Sequence, residues 1–229
     1  MRLRAARLAI VFASITLTAC NQVRPEDRLC RARQEDTVKP QSEAFADGYF
    51  PAAFGRYTDR CADPTRPSPT VSGFESEWYP RQWRAACEPS FYQLSLREAP
   101  PEFALRFSYM PSFDPSVFIT VQSEGDGFKL IVKEMSGLGG YDEGTIARSR
   151  EVRLKASQVA DLKKLLDEGA LFRESPANCV SGFDGSRWIF ELVTSGEYQM
   201  VNRWSPSEGA AHDLGEMLIR LSGLSIETY

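Results

Sequence analysis

The stretch that constrains the fold most is residues 183–206, FDGSRWIFELVTSGEYQMVNRWSP. Two runs rich in aromatic and β-branched residues, 187–193 and 198–204, flank a short sequence of turn-forming residues. Gly196 in that turn can adopt the positive φ that tight hairpin turns require, and Asp184 belongs to a second turn that leads into the first run. The pattern predicts a β-hairpin.

Further β patterns precede the hairpin. Apolar and polar residues alternate between turn sequences, which predicts four more strands, at 103–109, 116–122, 128–134 and 147–154. A shorter helical segment is predicted within residues 77–87, with Pro80 near its start.

Two amphipathic helices are also predicted. The first covers residues 157–168, with Ser157 as its cap and Gly169 at its end. The second starts at Ser205, where Ser205 and Glu208 match a capping box, and it ends at Gly223. The order of these elements predicts an α+β fold, a mostly antiparallel sheet covered on one face by two helices.

The chain begins with a basic segment followed by an apolar one. Arg2, Arg4 and Arg7 precede an apolar core at 8–17 that is too short to span a bilayer. This layout is typical of a secretory signal peptide. The sequence therefore divides into a signal peptide at 1–19, a tether with a Pro-rich and partly packed segment at 20–72, and an α+β domain at 73–229.

The end of the signal peptide reads Leu17-Thr18-Ala19-Cys20, which resembles the lipobox of bacterial lipoproteins. The resemblance implies that Cys20 becomes the first residue of the mature chain and carries a diacylglyceryl group and an acyl chain such as palmitate. Two lipid attachments hold a protein stably on a membrane. Asn21 implies the outer membrane of a diderm bacterium. The alternative is an ordinary signal peptide followed by a coincidental cysteine.

Charge restricts the class of partner. The leader holds three of the 27 Lys and Arg residues and none of the 31 Asp and Glu residues, so the mature chain would carry a formal charge of −7. An acidic chain of this kind is poorly suited to nucleic acid or to anionic lipid headgroups. The expected partners are the membrane through the lipid anchor, and an envelope protein or the cell wall.

Four cysteines remain after Cys20: Cys30, Cys61, Cys87 and Cys179. An even number in an exported chain predicts two disulfide bonds. Three pairings are possible, and we favour Cys30–Cys61 with Cys87–Cys179 without excluding the others. The chain has no closely spaced cysteine pair, which argues against zinc and thioredoxin-like redox chemistry.

The sequence offers no convincing catalytic set, cofactor motif or metal site. The single histidine, His212, has no nucleophile-elbow motif to serve, and the glycine-rich loop 137–144 lacks the Lys-Ser/Thr of a phosphate-binding loop. Asp184 and Glu191 could act as paired carboxylates on a glycan. A turn residue and a solvent-facing strand residue are the simpler interpretation of these two acids.

The residues around the hairpin and the glycine-rich loop could form a binding surface, although packing in the core is the simpler interpretation for those of the hairpin. Aromatic and guanidinium groups can bind sugars or proteins, although alternation along a hairpin places about half of them in the core. The candidate residues are Gly139, Gly140, Tyr141, Asp184, Trp188, Tyr198, Arg203 and Trp204. For the glycine-rich loop 137–144 we favour glycines that meet the demands of the backbone, and the alternative is a mobile binding edge.

Residues 78–224 carry landmarks that resemble an uncharacterised family of bacterial exported proteins with no known activity. The landmarks are Trp78-Tyr79, Glu88-Pro89-Ser90, Gly139-Gly140-Tyr141 with Gly144, Gly182-Phe183-Asp184-Gly185 with Trp188, and Arg203-Trp204-Ser205-Pro206. Gln82 and Gln199 occupy places where histidine is frequent in that family. The resemblance therefore implies a fold and no imidazole chemistry.

Three functions are compatible with these features. The favoured one is a non-catalytic binding or scaffold module of the cell envelope, anchored through Cys20. The first alternative is an envelope hydrolase or transferase acting on cell-wall or lipid substrates, which would need a deep cleft with convergent carboxylates. The second alternative is an inhibitor or immunity-like protein, which would present a flat or protruding acidic surface.

Overall fold

The computed structural model describes residues 44–58, 68–178, 180 and 182–229. The signal peptide, Cys20 and three of the other four cysteines, Cys30, Cys61 and Cys179, lie outside the described residues. The lipid anchor and both disulfide bonds therefore stay predictions. No helix in the described part of the chain has the length and apolar character needed to cross a bilayer.

The first described elements are short. Strand β1 (Ala44–Phe45) pairs with β2 (Phe50–Pro51), and β3 (Tyr57–Thr58) pairs with β4 (Ser68–Pro69). Helices α1 (Gly73–Ala85) and α2 (Phe91–Ser95) follow. Helix α1 begins with a capping box, in which the Ser72 Oγ accepts from the Glu75 N–H and the Glu75 carboxylate accepts from the Ser72 N–H.

A six-stranded antiparallel sheet forms the centre of the domain. Its strands are β5 (Phe103–Pro111), β6 (Val117–Glu124), β7 (Gly127–Met135), β8 (Ile146–Arg153), β9 (Ser186–Thr194) and β10 (Glu197–Trp204), in the order β10-β9-β5-β6-β7-β8. Together with the helices this sheet confirms the predicted α+β class, and all six predicted strands are present.

The β9–β10 hairpin forms as predicted. Thr194 pairs with Glu197, so the turn has two central residues, Ser195 and Gly196, with φ of 51° and 84°. Positive φ at both positions matches the right-handed twist of the paired strands.

Helices α3 (Ala156–Gly169) and α4 (Gly209–Ser222) are present, but their starts differ from the prediction. Lys155 rather than Ser157 precedes α3, and the Gln158 side chain accepts from its N–H at 2.8 Å. The predicted capping box at Ser205 is wrong, because the Ser205 Oγ accepts from the Ser186 N–H at 2.9 Å and α4 begins only at Gly209. Gly223, with φ of 67°, ends α4 as predicted.

The predicted start of a helix near Pro80 is also wrong. Pro80 lies in the middle of α1 and is buried. Proline cannot donate the backbone hydrogen bond of its turn, which normally disfavours a helix interior. The capping box at the start of α1 and burial of Trp78, Tyr79 and Trp83 offset this cost.

The two largest hydrophobic clusters of the described residues lie against the sheet. Leu162 of α3 and Leu214 and Leu218 of α4 belong to a first cluster with alternate residues of the strands, such as Phe107 and Phe190. The second cluster brings Tyr49, Phe50 and three aromatic residues of α1, Trp78, Tyr79 and Trp83, together with strand residues of the opposite parity, Met110, Phe118, Ile189 and Met200. Strand β5, in the middle of the sheet, is consequently buried at all nine positions.

Candidate functional site

Four loops meet at one end of the sheet, which we call the loop end: residues 112–116, 136–145, 182–185 and 205–208. The antiparallel register places them there, because Pro111 at the end of β5 pairs with Ser186 at the start of β9, and Met135 at the end of β7 pairs with Ile146. The Ser112 N–H donates to the Gly185 carbonyl oxygen at 2.8 Å and joins two of the loops.

The glycine-rich loop is held by close backbone contacts. A Cβ on Gly139 would lie 2.7 Å from the carbonyl oxygen of Pro111, and one on Gly140 would lie 2.8 Å from that of Ser112. The Gly139 N–H also donates to the Asp114 carbonyl oxygen at 3.0 Å. These contacts agree with the favoured interpretation, in which the glycines meet the demands of the backbone, and argue against the alternative of a mobile edge.

Gln82 of α1 anchors the same loop. Its side chain is fully buried, its Nε2 donates to the Gly139 carbonyl oxygen at 2.8 Å, and its Oε1 accepts from the Ser116 Oγ at 3.1 Å. The Gln82 amide therefore holds loop 112–116, which precedes β6, and loop 136–145, which follows β7, against α1. This structural role of Gln82 could not be predicted from the sequence, because a lone glutamine in a helix carries no signal of it.

The loop end exposes large apolar side chains. Tyr141 is 75% exposed, and Phe113 and Leu138 are each 50% exposed. The rings of Phe113 and Tyr141 lie 6.3 Å apart, and the Tyr141 N–H donates to the Leu138 carbonyl oxygen at 2.7 Å. We call Phe113, Leu138 and Tyr141 the aromatic rim. Phe183, on an adjoining loop, is fully exposed.

The candidate residues of the hairpin do not all reach the surface. Trp188 is wrong as a surface residue, because it is 1% exposed and packs in the first cluster. Arg203 is buried and bound to Glu174 at 2.7 Å. Trp204 is half-buried beneath the backbone of residues 182–185, where a Cβ on Gly182 would lie 2.7 Å from the indole nitrogen. Asp184 is exposed in its turn.

Tyr198 lies far from the loop end, near the hairpin turn. Its ring packs 5.7 Å from that of Tyr92, and its hydroxyl donates to the Glu191 carboxylate at 2.9 Å. Of the eight candidate surface residues, the structure therefore gathers the glycine-rich loop and Asp184 at the exposed loop end. Trp188, Tyr198 and Arg203 belong to the packing beneath it or behind it.

A cavity of about 520 Å³ opens beside the aromatic rim. Tyr109 and Val117 of the sheet form part of its wall, and Asp114, Glu134 and Tyr229 contribute polar groups. The Tyr229 hydroxyl donates to the Asp114 carboxylate at 2.9 Å, and the Tyr109 hydroxyl donates to the Glu227 carbonyl oxygen at 3.4 Å. Burial raises the pKa of Tyr109 to about 12.

A buried charged cluster lies on the opposite face of the sheet. Our expectation that Glu191 faces solvent is wrong: Glu191 is fully buried, because α1, α2 and the N-terminal strands cover this face. Its carboxylate accepts from the Arg106 Nε at 2.7 Å and from a second nitrogen of the same guanidinium. The Arg106 guanidinium lies between the rings of Trp83 and Phe91, at 4.5 and 4.4 Å from their centres.

Glu88 completes this cluster. Its Oε1 lies 2.8 Å from the Lys133 ammonium, and its Oε2 accepts from the Thr120 hydroxyl at 3.2 Å and lies 3.5 Å from Arg106. Burial alone would raise the pKa of Glu88, but Lys133 and Arg106 together lower it. Burial raises the pKa of Glu191, and Arg106 offsets this only in part.

A second cavity, of about 340 Å³, opens on Glu88, Thr120 and Lys133. The groups that line it are already engaged, since both Glu88 oxygens are bound and the Lys133 ammonium also donates to the carbonyl oxygens of Ala86 and Cys87. A general base must accept a proton from the substrate, and at Glu88 the substrate would compete with Lys133, Arg106 and Thr120 for the carboxylate oxygens. The cluster fixes residues 86–89 to the sheet.

His212 lies at the edge of the first cluster. Its ring stacks on that of Trp188 at 6.2 Å, and its Nδ1 is 3.3 Å from the Asp213 carboxylate. The contact with a core indole gives this histidine a packing function.

Comparison with known proteins does not assign the chain to a family. No family model matches the sequence, and no curated protein is significantly similar to it. The lipobox and the family resemblance of residues 78–224 therefore stay predictions, and function must be argued from the loop end itself.

Proposed function

We propose that this protein is a cell-envelope lipoprotein, anchored through Cys20, that acts as a non-catalytic binding module. Its partner, an envelope protein or a cell-wall component, is engaged by the loop end. In this proposal α3 and α4 are the layer that covers one face of the sheet, and the predicted disulfide bonds stabilise the exported chain. The observation that carries the proposal is the aromatic rim on a fixed backbone.

Exposed aromatic side chains on rigid loops favour binding for two physical reasons. Burying apolar surface stabilises a complex by about 25 cal/mol per Å². Binding also costs free energy when flexible side chains and loops must be ordered, and aromatic rings on a fixed backbone lose little freedom. The contacts of Gly139 and Gly140 and the anchor at Gln82 hold the rim in place before a partner arrives.

The test is crosslinking of the lipidated protein in its own envelope. A double variant, Phe113→Ala with Tyr141→Ala, removes both rings of the rim. Leu96→Ala is the matched control, because Leu96 is 46% exposed and follows α2, near the opposite end of the sheet. We expect the wild type and Leu96→Ala to capture the same partner and the double variant to lose it. Capture that is unchanged in the double variant would reject the proposal.

An inhibitor or immunity-like protein would use the same surface. It differs from a scaffold only in what the captured partner does, so the partner's activity with and without this protein separates the two.

A second candidate function is an envelope hydrolase or transferase at the second cavity. The observation that favours it is the convergence of Glu88 and Glu191 on Arg106, with Glu88 at a cavity wall. A Glu88→Gln variant would then lose turnover of cell-wall fragments while it still captures the partner. Turnover that is absent from the wild type, or equal in both proteins, would eliminate this candidate.

A further inference from the structure

The loop end carries charge of one sign. Its four loops contain five acidic residues and no Lys or Arg: Asp114, Asp142, Glu143, Asp184 and Glu208. Arg81 of α1 binds Glu143 at 2.9 Å, whereas Asp114, Asp142 and Asp184 are exposed. A surface that combines exposed aromatic faces with unneutralised carboxylates attracts cations and repels anions.

The cavity beside the rim has the same character. Three carboxylates, those of Asp114, Glu134 and Glu227, line it against one guanidinium, that of Arg148. Arg148 lies 3.7 Å from Glu134, so Asp114 and Glu227 remain in excess. Tyr109 and Tyr229 add two phenol rings to the wall. The volume, about 520 Å³, is within the range of sites that bind small ligands or single side chains.

From this geometry we infer that the loop end binds a basic polypeptide segment of a partner protein. The aromatic rim lies along the segment, and one Lys or Arg side chain enters the cavity and reaches the Asp114 carboxylate. A cationic side chain is the occupant because its charge complements Asp114 and Glu227, its stem contacts Val117 and the tyrosine rings, and its head can lie over a phenol face. The inference rests on the proposed function and specifies its partner.

The existing contacts of Asp114 agree with this assignment. The Tyr229 hydroxyl occupies one of its oxygens, Oδ2, and the Phe113 N–H donates to the same hydroxyl at 3.4 Å. These bonds orient the carboxylate beside the rim. Because a neutral hydroxyl does not cancel the charge of Asp114, a cation that enters the cavity gains a charge-assisted bond.

The experiment measures binding of fluorescent peptides to the full-length protein by anisotropy. The probes are ten-residue peptides of alternating Lys and Ser, Gln and Ser, and Glu and Ser. We expect only the Lys peptide to bind, and its affinity to fall when salt is raised from about 20 to about 300 mM, because salt screens exposed charges. Asp114→Asn keeps an oxygen that accepts from Tyr229 but removes the charge, and we expect it to weaken binding by about tenfold.

Asp126→Asn is the matched control. Asp126 is an exposed residue of the β6–β7 turn at the opposite end of the sheet, and its substitution changes the net charge by the same amount. We expect it to bind the Lys peptide as the wild type does. Equal weakening in both variants would show attraction to net charge alone and would overturn the inference, as would equal binding of the Gln peptide or no binding of the Lys peptide.

The inference and the proposed function fail differently. If the Lys peptide does not bind but envelope crosslinking still depends on Phe113 and Tyr141, the binding module stands and its partner is not basic. If crosslinking is indifferent to both rings, the proposed function itself fails, whatever the peptides do.

Discussion

Arg106 shows how a single residue can control the packing of a whole sheet face. It is fully buried, bonded to Glu191 and to the Pro89 carbonyl oxygen at 2.7 Å, and enclosed by Trp83 and Phe91. Removing a guanidinium from water costs several kcal/mol, which its partners recover only if all of them are present. The cluster therefore makes the position of α2 and residues 86–89 depend on charges in the sheet.

Removing either Arg106 or Glu191 from their buried ion pair should strongly lower the stability of the protein. We expect Arg106→Met to lower the free energy of unfolding by about 3–5 kcal/mol, because it leaves the Glu191 carboxylate buried without its cation. The double variant Arg106→Met with Glu191→Met should lose less than the sum of the two single variants, by about 0.5–3 kcal/mol. Urea denaturation of all four proteins gives the coupling, and strictly additive losses would contradict the pairing.

The lowered pKa of Glu88 predicts that the stability contributed by this residue decreases as the pH falls. The folded-state pKa of Glu88 is lowered, so its contribution to stability is fully present above the unfolded-state pKa, about 4.3, and is lost as pH falls through the folded-state pKa. The difference in unfolding free energy between the wild type and Glu88→Gln should be constant from about pH 6 to 7 and shrink below about pH 4. Urea titrations at several pH values measure it. A difference that grows as pH falls would contradict the assignment.

Glu191 illustrates what a strand pattern cannot reveal. Alternation correctly separates Glu191 from Trp188, Phe190 and Leu192, which belong to the first cluster. The pattern does not say whether the other face meets water or another layer. That depends on α1 and on residues 44–58, which are more than 100 residues earlier in the chain, and on Arg106 opposite Glu191 in the sheet. Sequence spacing holds no information on such contacts.

At the scale of elements, local sequence patterns correctly predict features that depend on contacts between residues close in sequence. The hairpin turn follows from Gly196 and its flanking strands, and the end of α4 follows from Gly223. The starts of α3 and α4 do not follow: α3 begins after Lys155, whose N–H bonds to the Gln158 side chain, and the capping serine predicted for α4 is used elsewhere. Ser205 bonds to the start of β9 instead of to its own helix. The loop end is likewise assembled by strand register and by Gln82, which no local pattern records.

The contact between α4 and the sheet depends on a glycine inside the helix. A Cβ on Gly215 would lie 2.1 Å from the Trp188 ring, so Gly215→Ala must displace the helix or the indole. Alanine favours a helix by about 1 kcal/mol over glycine, and overpacking a core costs about 1–3 kcal/mol, more when nothing can yield. We expect a net loss of unfolding free energy of about 1–2 kcal/mol in urea denaturation.

Gly73→Ala is the control for this prediction. Gly73 is the first residue of α1, and a Cβ there would meet no atom within 4 Å. We expect its stability to lie within about 0.5 kcal/mol of the wild type. If Gly215→Ala were as harmless as Gly73→Ala, the close approach of α4 to Trp188 would not describe the protein.

At the scale of the whole molecule, anchoring and binding are expected in separate parts of the chain. The lipid site is expected at Cys20, and the loop end is formed by residues after 111. The loops derive their shape from the sheet and from α1, whose contacts lie within the described residues. Loss of the anchor should therefore leave the rim and the cavity unchanged.

Cys20→Ala tests this separation. Two lipid attachments give stable membrane binding, whereas a chain without them has only weak interfacial affinity, so we expect the variant to move from the membrane fraction to the soluble fraction. The released variant should bind the Lys peptide with the affinity of the detergent-solubilised wild type. Fractionation and anisotropy on the same preparations give both results. A variant that stays with the membrane after a salt wash would refute the anchor, and one that is released but no longer binds would show that the lipid end takes part in the binding site.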